Sequence, residues 1–268
     1  MARTPLLQGK HAVVFGGAGS IGRAVATEFA SEGAEVFVAG RTKSKVAEVA
    51  ECITRSGGQA YAAEVDALDD GAVSAYLTDV ARRSGSVDVV YNATGPLASE
   101  YGNTKPAVQL SVDEFMLPAM TILKSNFITA RAAARQMVGQ RSGVILFVTG
   151  SPARGHVPGA TAIGATFGAL ECLTEDLAIE VGPAGVRVVC LRTLANTDSR
   201  SIQETMELLT GAINITMDQA VAQIADSNFL KRTAGVADTA KAAVFLASDH
   251  ASMLTGTVLN ATAGAALD

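Results

Sequence analysis

The chain is poor in charge and has no long apolar run. Only 18% of its 268 residues are charged, against 49% apolar. No apolar stretch reaches the roughly 18 residues that a membrane helix needs, so no membrane span is expected. No block of like charges forms an interaction tail. A net charge of −5 and a pI near 5.3 exclude a basic nucleic-acid surface. Cysteine is scarce: Cys52, Cys172 and Cys190 lie far apart with no CxxC spacing. That excludes a disulfide framework and leads us to expect buried thiols in a reducing cytoplasm. No His/Cys/Asp/Glu cluster has metal-ligand spacing, so no metal is expected. The opening "MARTPLLQGKHAVVFGG" has no apolar segment followed by a cleavage site, which again points to the cytoplasm. No solenoid-length repeat, low-complexity tract or linker divides the sequence, and a single domain over residues 1–268 is expected.

What the sequence does contain is alternation. Short Val-rich runs at 11–16, 34–40, 59–65, 87–93, 143–150, 186–192 and 256–261 are separated by helix-length segments at 20–32, 42–56, 69–83, 111–140, 160–181 and 236–248. The runs are too apolar for a strict inside–outside alternation, as suits parallel strands buried on both faces. Repeated β-α units of this kind predict an α/β fold: a Rossmann-like, doubly wound parallel sheet of about seven strands with helices on both faces. Residues 195–232 break the rhythm with a polar, helix-capable insertion, a candidate lid over a substrate.

The first run leads into Gly16, Gly17, Ala18, Gly19, Ser20, Ile21 and Gly22, which contain GxGxxG between a strand and a helix. Glycines there let the backbone turn tightly and approach a pyrophosphate, whose charge sits at the helix N-terminus. The second run ends in Gly40, Arg41 and Thr42, with Lys43 beside them, where sites selective for NAD carry an acid. A guanidinium in that place grips a 2′-phosphate, so NADP(H) is expected as cofactor, with NAD as the alternative. Asp66, followed by Ala67, ends the third run and either accepts a bond from the adenine amine or caps a helix.

These residues, with "YNATG" (91–95), "VRVVCLRTLANTD" and "VADTAKAAVFLASDHASMLTGTVLNATAG", resemble the short-chain dehydrogenase/reductase family over nearly the whole chain. The glycine loop is similar to that family's TGxxxGxG, with Phe15 for Thr and Ser20 for the middle Gly. Tyr91 stands for the first Asn of its NNAG motif and Thr193-Leu194 for its Pro-Gly turn. The resemblance implies cofactor contacts from Asn92, Ala93, Thr94 and Asn196. It also implies a homo-oligomer, a tetramer or dimer packed through the segments 111–140 and 160–181, where Gly164, Ala165, Gly168 and Ala169 allow close approach.

The resemblance also exposes a gap. The family's chemistry uses Asn, Ser and Tyr-x-x-x-Lys, and the register here puts Ile122, Gly150, Ile163 and Phe167 in those places. Ile163 and Phe167 share a helix face at i, i+4, forming with Ile122 an apolar wall where the proton chemistry should be. General acid–base help is typically worth about 10²–10⁴ in rate, so ordinary ketone reduction should be nearly abolished. The remaining polar groups near the wall are Thr149, Ser151, Arg154 and His156, with Arg192 at the end of the sixth run. Ser151 is a candidate hydrogen-bond donor, His156 a candidate acid and Arg154 a candidate anion ligand; Arg192 is a second candidate for that last role. Glu171, Glu175, Asp176 and Glu180 read as a solvated or subunit-facing stripe. Three readings stay open: an NADP-dependent oxidoreductase acting on C=C or imine groups, a dinucleotide-binding pseudoenzyme serving as sensor or structural partner, and a non-redox enzyme on the same scaffold. The substrate is not encoded in any motif.

Overall fold

The computed structural model describes residues 4–155 and 157–268. Seven strands form one parallel sheet: β1 (His11–Phe15), β2 (Glu35–Gly40), β3 (Gln59–Glu64), β4 (Val89–Asn92), β5 (Gly143–Gly150), β6 (Val186–Thr193) and β7 (Thr257–Ala261). Their order is β3-β2-β1-β4-β5-β6-β7. The chain starts in the middle, winds outward to β3, then crosses back and winds outward to β7. The crevice between the two directions opens at the carboxyl ends of β1 and β4, where ligands of such sheets bind.

The helices are α1 (Ser20–Ser31), α2 (Lys43–Arg55), α3 (Asp70–Ser84), α4 (Val112–Pro118), α5 (Lys124–Gln140), α6 (Thr161–Val181), α7 (Arg200–Ile213), α8 (Met217–Asp226) and α9 (Val236–Ala247). Alternate strand residues feed two cores. Val14, Val38, Leu146 and Val189 pack with Val25, Phe29, Val46 and Val244 of α1, α2 and α9. Val13, Phe37, Ile145, Phe147 and Val188 pack with Leu77, Met137 and Leu170 of α3, α5 and α6. Burial on both faces is why these strands read as continuous apolar runs.

The segment expected as one helix over 111–140 has three parts. Ser111 and Glu114 form a reciprocal cap at its start. Pro118 lacks the N–H and crowds the preceding turn, and a wide π turn follows over Ala119–Leu123 before α5 resumes. Ile122 sits in that turn. The insertion at 195–232 folds as α7, capped by Ser199, and α8, capped by Thr216 with Gln219. The cysteines depart from expectation. Only Cys190 is buried, its thiol pushed up to about 12 by desolvation, while Cys52 and Cys172 are exposed. Both exposed cysteines lie off the apolar stripes of their helices.

Candidate functional site

The turn after β1 is built for close approach. Gly16 has φ +68°, and a Cβ there would stand 2.8 Å from the Thr94 amide nitrogen. A Cβ on Gly22 would stand 2.3 Å from the Gly16 carbonyl oxygen. Only glycine fits either place. Helix α1 begins at Ser20 with Gly19 as its cap and no capping side chain, so its first-turn amides are left for an anion. The Ser20 hydroxyl already has a partner: it accepts from the Arg200 amide at the start of α7, at 3.1 Å. This ties the 195–232 segment to the loop.

At the end of β2, Arg41 and Thr42 are exposed, and Arg41 makes no hydrogen bond or ion pair among the described residues. Thr42 caps α2 by position alone. Asp66 accepts from the Leu68 amide at 3.0 Å in a local turn; the cap of α3 is Asp69, not Asp66. Ala67 is buried beneath that turn. Two residues expected to face the cofactor turn their side chains elsewhere. Asn92 is buried, donating to Thr129 at 3.1 Å and Ser125 at 3.3 Å and accepting from the Thr94 amide at 2.8 Å. It fixes the turn holding Ala93 and Thr94 rather than presenting an amide to a ligand. Asn196 is likewise buried, accepting from the Thr239 hydroxyl at 2.8 Å.

The apolar wall is present. Ile122 and Ile163 are buried in one core cluster, with Phe167 packed against it. Ile122 lies over Gly95, 3.4 Å from where a Cβ would be, and the Phe167 ring stands 3.2 Å from the corresponding position on Gly150. The ring therefore crowds the place the resemblance gives to a serine.

Beside the wall lies a charge network the sequence reading had assigned differently. Glu171, expected on a solvated stripe, is 2% exposed and pairs with Arg192, also 2% exposed, through Nε at 2.8 Å and Nη2 at 2.9 Å. Arg192 is thus committed to structure rather than offered to a substrate anion. Its guanidinium is held above its usual range first by the hydrogen bond to Glu171, against desolvation, and further by the bond to Asp268. The Thr149 hydroxyl donates to the same Glu171 at 3.1 Å and is spent there. Arg154, 59% exposed, reaches Glu171 at 3.5 Å, so its charge too is partly engaged. Ser151 opens a short helical turn, Ser151–Ala153, and its side chain makes no hydrogen bond among the described residues. His156 lies outside the described residues. Glu175, Asp176 and Glu180 are exposed, as expected. Of the small residues on α6, Gly164 faces inward, its missing Cβ 2.9 Å from the Pro152 carbonyl oxygen; Ala165 and Ala169 are exposed. Among the described residues no acid–histidine–cysteine group could hold a metal, and no helix is long and apolar enough to cross a membrane.

A parallel sheet that reverses direction beside a glycine turn defines a Rossmann-type nucleotide fold. Within that class, the model of a family described as enoyl-(acyl carrier protein) reductase matches residues 16–266. The chain belongs to this branch of the short-chain dehydrogenase/reductase family, a family of oxidoreductases. It is similar to the 1,6-dihydroxycyclohexa-2,4-diene-1-carboxylate dehydrogenase of Acinetobacter baylyi, 29% identical over 262 residues and covering 97% of each chain. It is also similar to the peroxisomal 2,4-dienoyl-CoA reductase of Saccharomyces cerevisiae, 29% identical over 268 residues, covering 96% of this chain and 84% of that one. A solved structure of a candidate NAD(P)-dependent gluconate 5-dehydrogenase from Beutenbergia cavernae, with NADP bound at low occupancy, is 30% identical with a TM-score of 0.82, covering 98% of each chain.

Proposed function

We propose that this protein is an NADP(H)-dependent oxidoreductase that reduces a polarised C=C or C=N bond of a small molecule, without the Tyr-Lys proton relay. The observation that carries the reading is the wall itself: Ile122, Ile163 and Phe167 are packed as core where the relay would stand, while the glycine turn keeps its full geometry. The cofactor fits the residues present. The Gly16–Gly22 turn and the uncapped start of α1 would hold its pyrophosphate, Arg41 with Thr42 the 2′-phosphate, Asp66 and Ala67 the adenine, and the backbone of Ala93 and Thr94 the ribose side. When bound, the dihydronicotinamide supplies hydride. An apolar pocket disfavours an alkoxide formed beside it. An enone or iminium spreads or cancels the charge as hydride arrives, so it suits such a pocket better. The relatives' names lend support: a dienoyl-CoA reductase acts on C=C, and the structural neighbour carries NADP.

The 195–232 segment acts as a lid in this reading, because α7 already touches the phosphate loop through Arg200 and Ser20. The protein is a cytoplasmic homo-oligomer, packed through the exposed Met116, Met120 and Phe127 of the α4–α5 region, which light scattering checks. The function is tested by following NADPH oxidation against matched ketones, enones and cyclic imines. Turnover of enones or imines alone supports the reading. Robust turnover of a plain ketone refutes it. Tight NADPH binding with silence across the panel supports a binding module instead.

A further inference from the structure

We infer that Tyr101 is the hydrogen-bond donor to the carbonyl oxygen of an α,β-unsaturated carbonyl substrate, reaching the site from the loop after β4 instead of from α6. The inference rests on the redox reading above and gives it a substrate class. The four tyrosines differ in what their hydroxyls can do. Tyr61 is exposed and stacks on Phe37 at the edge strand. The hydroxyls of Tyr76 and Tyr91 are sealed in the core with no partner among the described residues. Tyr101 has a buried ring and 5% exposure; its hydroxyl makes no hydrogen bond among the described residues and is not sealed.

Its ring belongs to the same buried cluster as Ile122 and Ile163. The loop begins at Gly95, which faces Ile122. The short helical turn Ala98–Tyr101 is clasped to α7: the Ser99 hydroxyl donates to Glu204 at 2.8 Å and Asn103 donates to Thr205 at 3.1 Å. The Thr104 amide donates to the Gly159 carbonyl at 2.9 Å, four residues before Ile163. Tyr101 is therefore held between the lid helix and the turn that starts α6. A buried phenol with an unused donor, in the same apolar cluster as the wall and on a segment tied to α7, is a group available where the relay is missing.

The charged groups around it are Glu204 on α7, Glu100 in its own turn, and on the α4 side Glu114, paired with Lys105 at 2.5 Å. Burial, and then the Glu204 charge, push the phenol up to about 12. A phenol held that high stays protonated near neutral pH, so Tyr101 is a donor there. Hydride added at the β-carbon forms a C–H bond, breaks the C=C π bond and moves that electron pair to the carbonyl oxygen as an enolate. Tyr101 stabilises this oxygen by its hydrogen bond and keeps its proton; water protonates the α-carbon, the C=O re-forms, and the dihydronicotinamide is left oxidised.

The test is Tyr101→Phe, which keeps the ring and removes the donor, with 2-cyclohexen-1-one as probe. NADPH affinity is expected to be equal in both proteins; absence of NADPH binding in the wild type would sink the redox reading itself. With binding intact, kcat for the enone should fall about 10²–10³-fold, as for loss of an oxyanion donor. Independently of turnover, the infrared carbonyl stretch of ¹³C-labelled 2-cyclohexen-1-one in the NADP⁺ complex should be red-shifted by the wild type, and the shift lost in Tyr101→Phe. An identical carbonyl stretch in both proteins, a loss of rate smaller than about tenfold, or no enone turnover by an NADPH-binding wild type would each overturn the assignment.

Discussion

Replacing Arg192 with Met would leave the Glu171 carboxylate buried between β5, β6 and α6 without its counter-charge. In the wild type two bonds of 2.8 and 2.9 Å join the pair, and both side chains are 2% exposed. Breaking a buried pair by removing one partner costs about 3–5 kcal/mol, because the remaining charge is stranded in a dry site. For a chain of this size each kcal/mol lowers Tm by about 2–4 °C, so a fall on the order of 6–20 °C is expected. The bond from Arg192 to Asp268 adds little to this figure, since Asp268 is 57% exposed. Arg154, reaching Glu171 at 3.5 Å from an exposed position, can recover part of the loss by moving in. The double change Arg192→Met with Glu171→Leu removes both charges and should restore most of the stability, since apolar replacement of a buried pair is often neutral or better. Thermal unfolding by circular dichroism of wild type, both single variants and the double variant closes the cycle. A fall below about 2 °C in Arg192→Met, less than one kcal/mol, would refute the reasoning. So would a double variant no more stable than the single.

Arg41→Ala should weaken NADPH by about tenfold or more and leave NADH unchanged, through loss of a charge-assisted grip on the 2′-phosphate; calorimetric titration of both cofactors checks it. Asp268 is held below the usual carboxylate range, chiefly by the hydrogen bond from Arg192. Its folded pKa is depressed, so its contribution is present above the unfolded value and lost as pH falls through the folded one. Asp268→Asn should therefore lower Tm slightly at pH 7, and the difference should shrink as pH falls below the ordinary carboxylate range. The triple change Ile163→Tyr, Phe167→Lys, Gly150→Ser should gain no ketone reduction and should lower Tm, because its Lys enters an apolar cluster with no partner. Measurable NADPH-dependent reduction of a plain ketone by that variant would show that the wall is only a lesion in an otherwise working site.

The seven strands and five of the nine helices among the described residues lie within one or two residues of the runs read from sequence, because burial on both sheet faces leaves an unbroken apolar signature at each strand. Local pattern could not reveal the split around Pro118, where a wide turn keeps the chain running helically past a residue that normally stops it. Helices α7 and α8 were legible only as a helix-capable tract. The gap at Ile122, Ile163 and Phe167 was visible because the flanking text fixes the register. The Glu171–Arg192 pair was not read: the partners lie 21 residues apart on a helix and a strand, and although Glu171 continues the i, i+4 face of Ile163 and Phe167, its charge led to the reading of a solvated stripe. The exposure of Cys52 could have been read, since the buried Val46, Val49, Ala50 and Ile53 define a stripe that it misses. Asn92 and Asn196 were placed at the cofactor by motif position; their side chains hydrogen-bond to α5 and α9.

The central claim is that hydride moves to an activated double bond across an apolar wall with no tyrosine–lysine pair. The most direct measurement is deuteride transfer from NADPH carrying deuterium at C4, mixed with the protein and 2-cyclohexen-1-one, and read by mass spectrometry of the product. The account predicts one deuterium, at the β-carbon of cyclohexanone, and none transferred to the carbonyl carbon of plain cyclohexanone offered in its place. Deuterium at the carbonyl carbon of the plain ketone, or tight NADPH binding with no deuterium in any product, would contradict it.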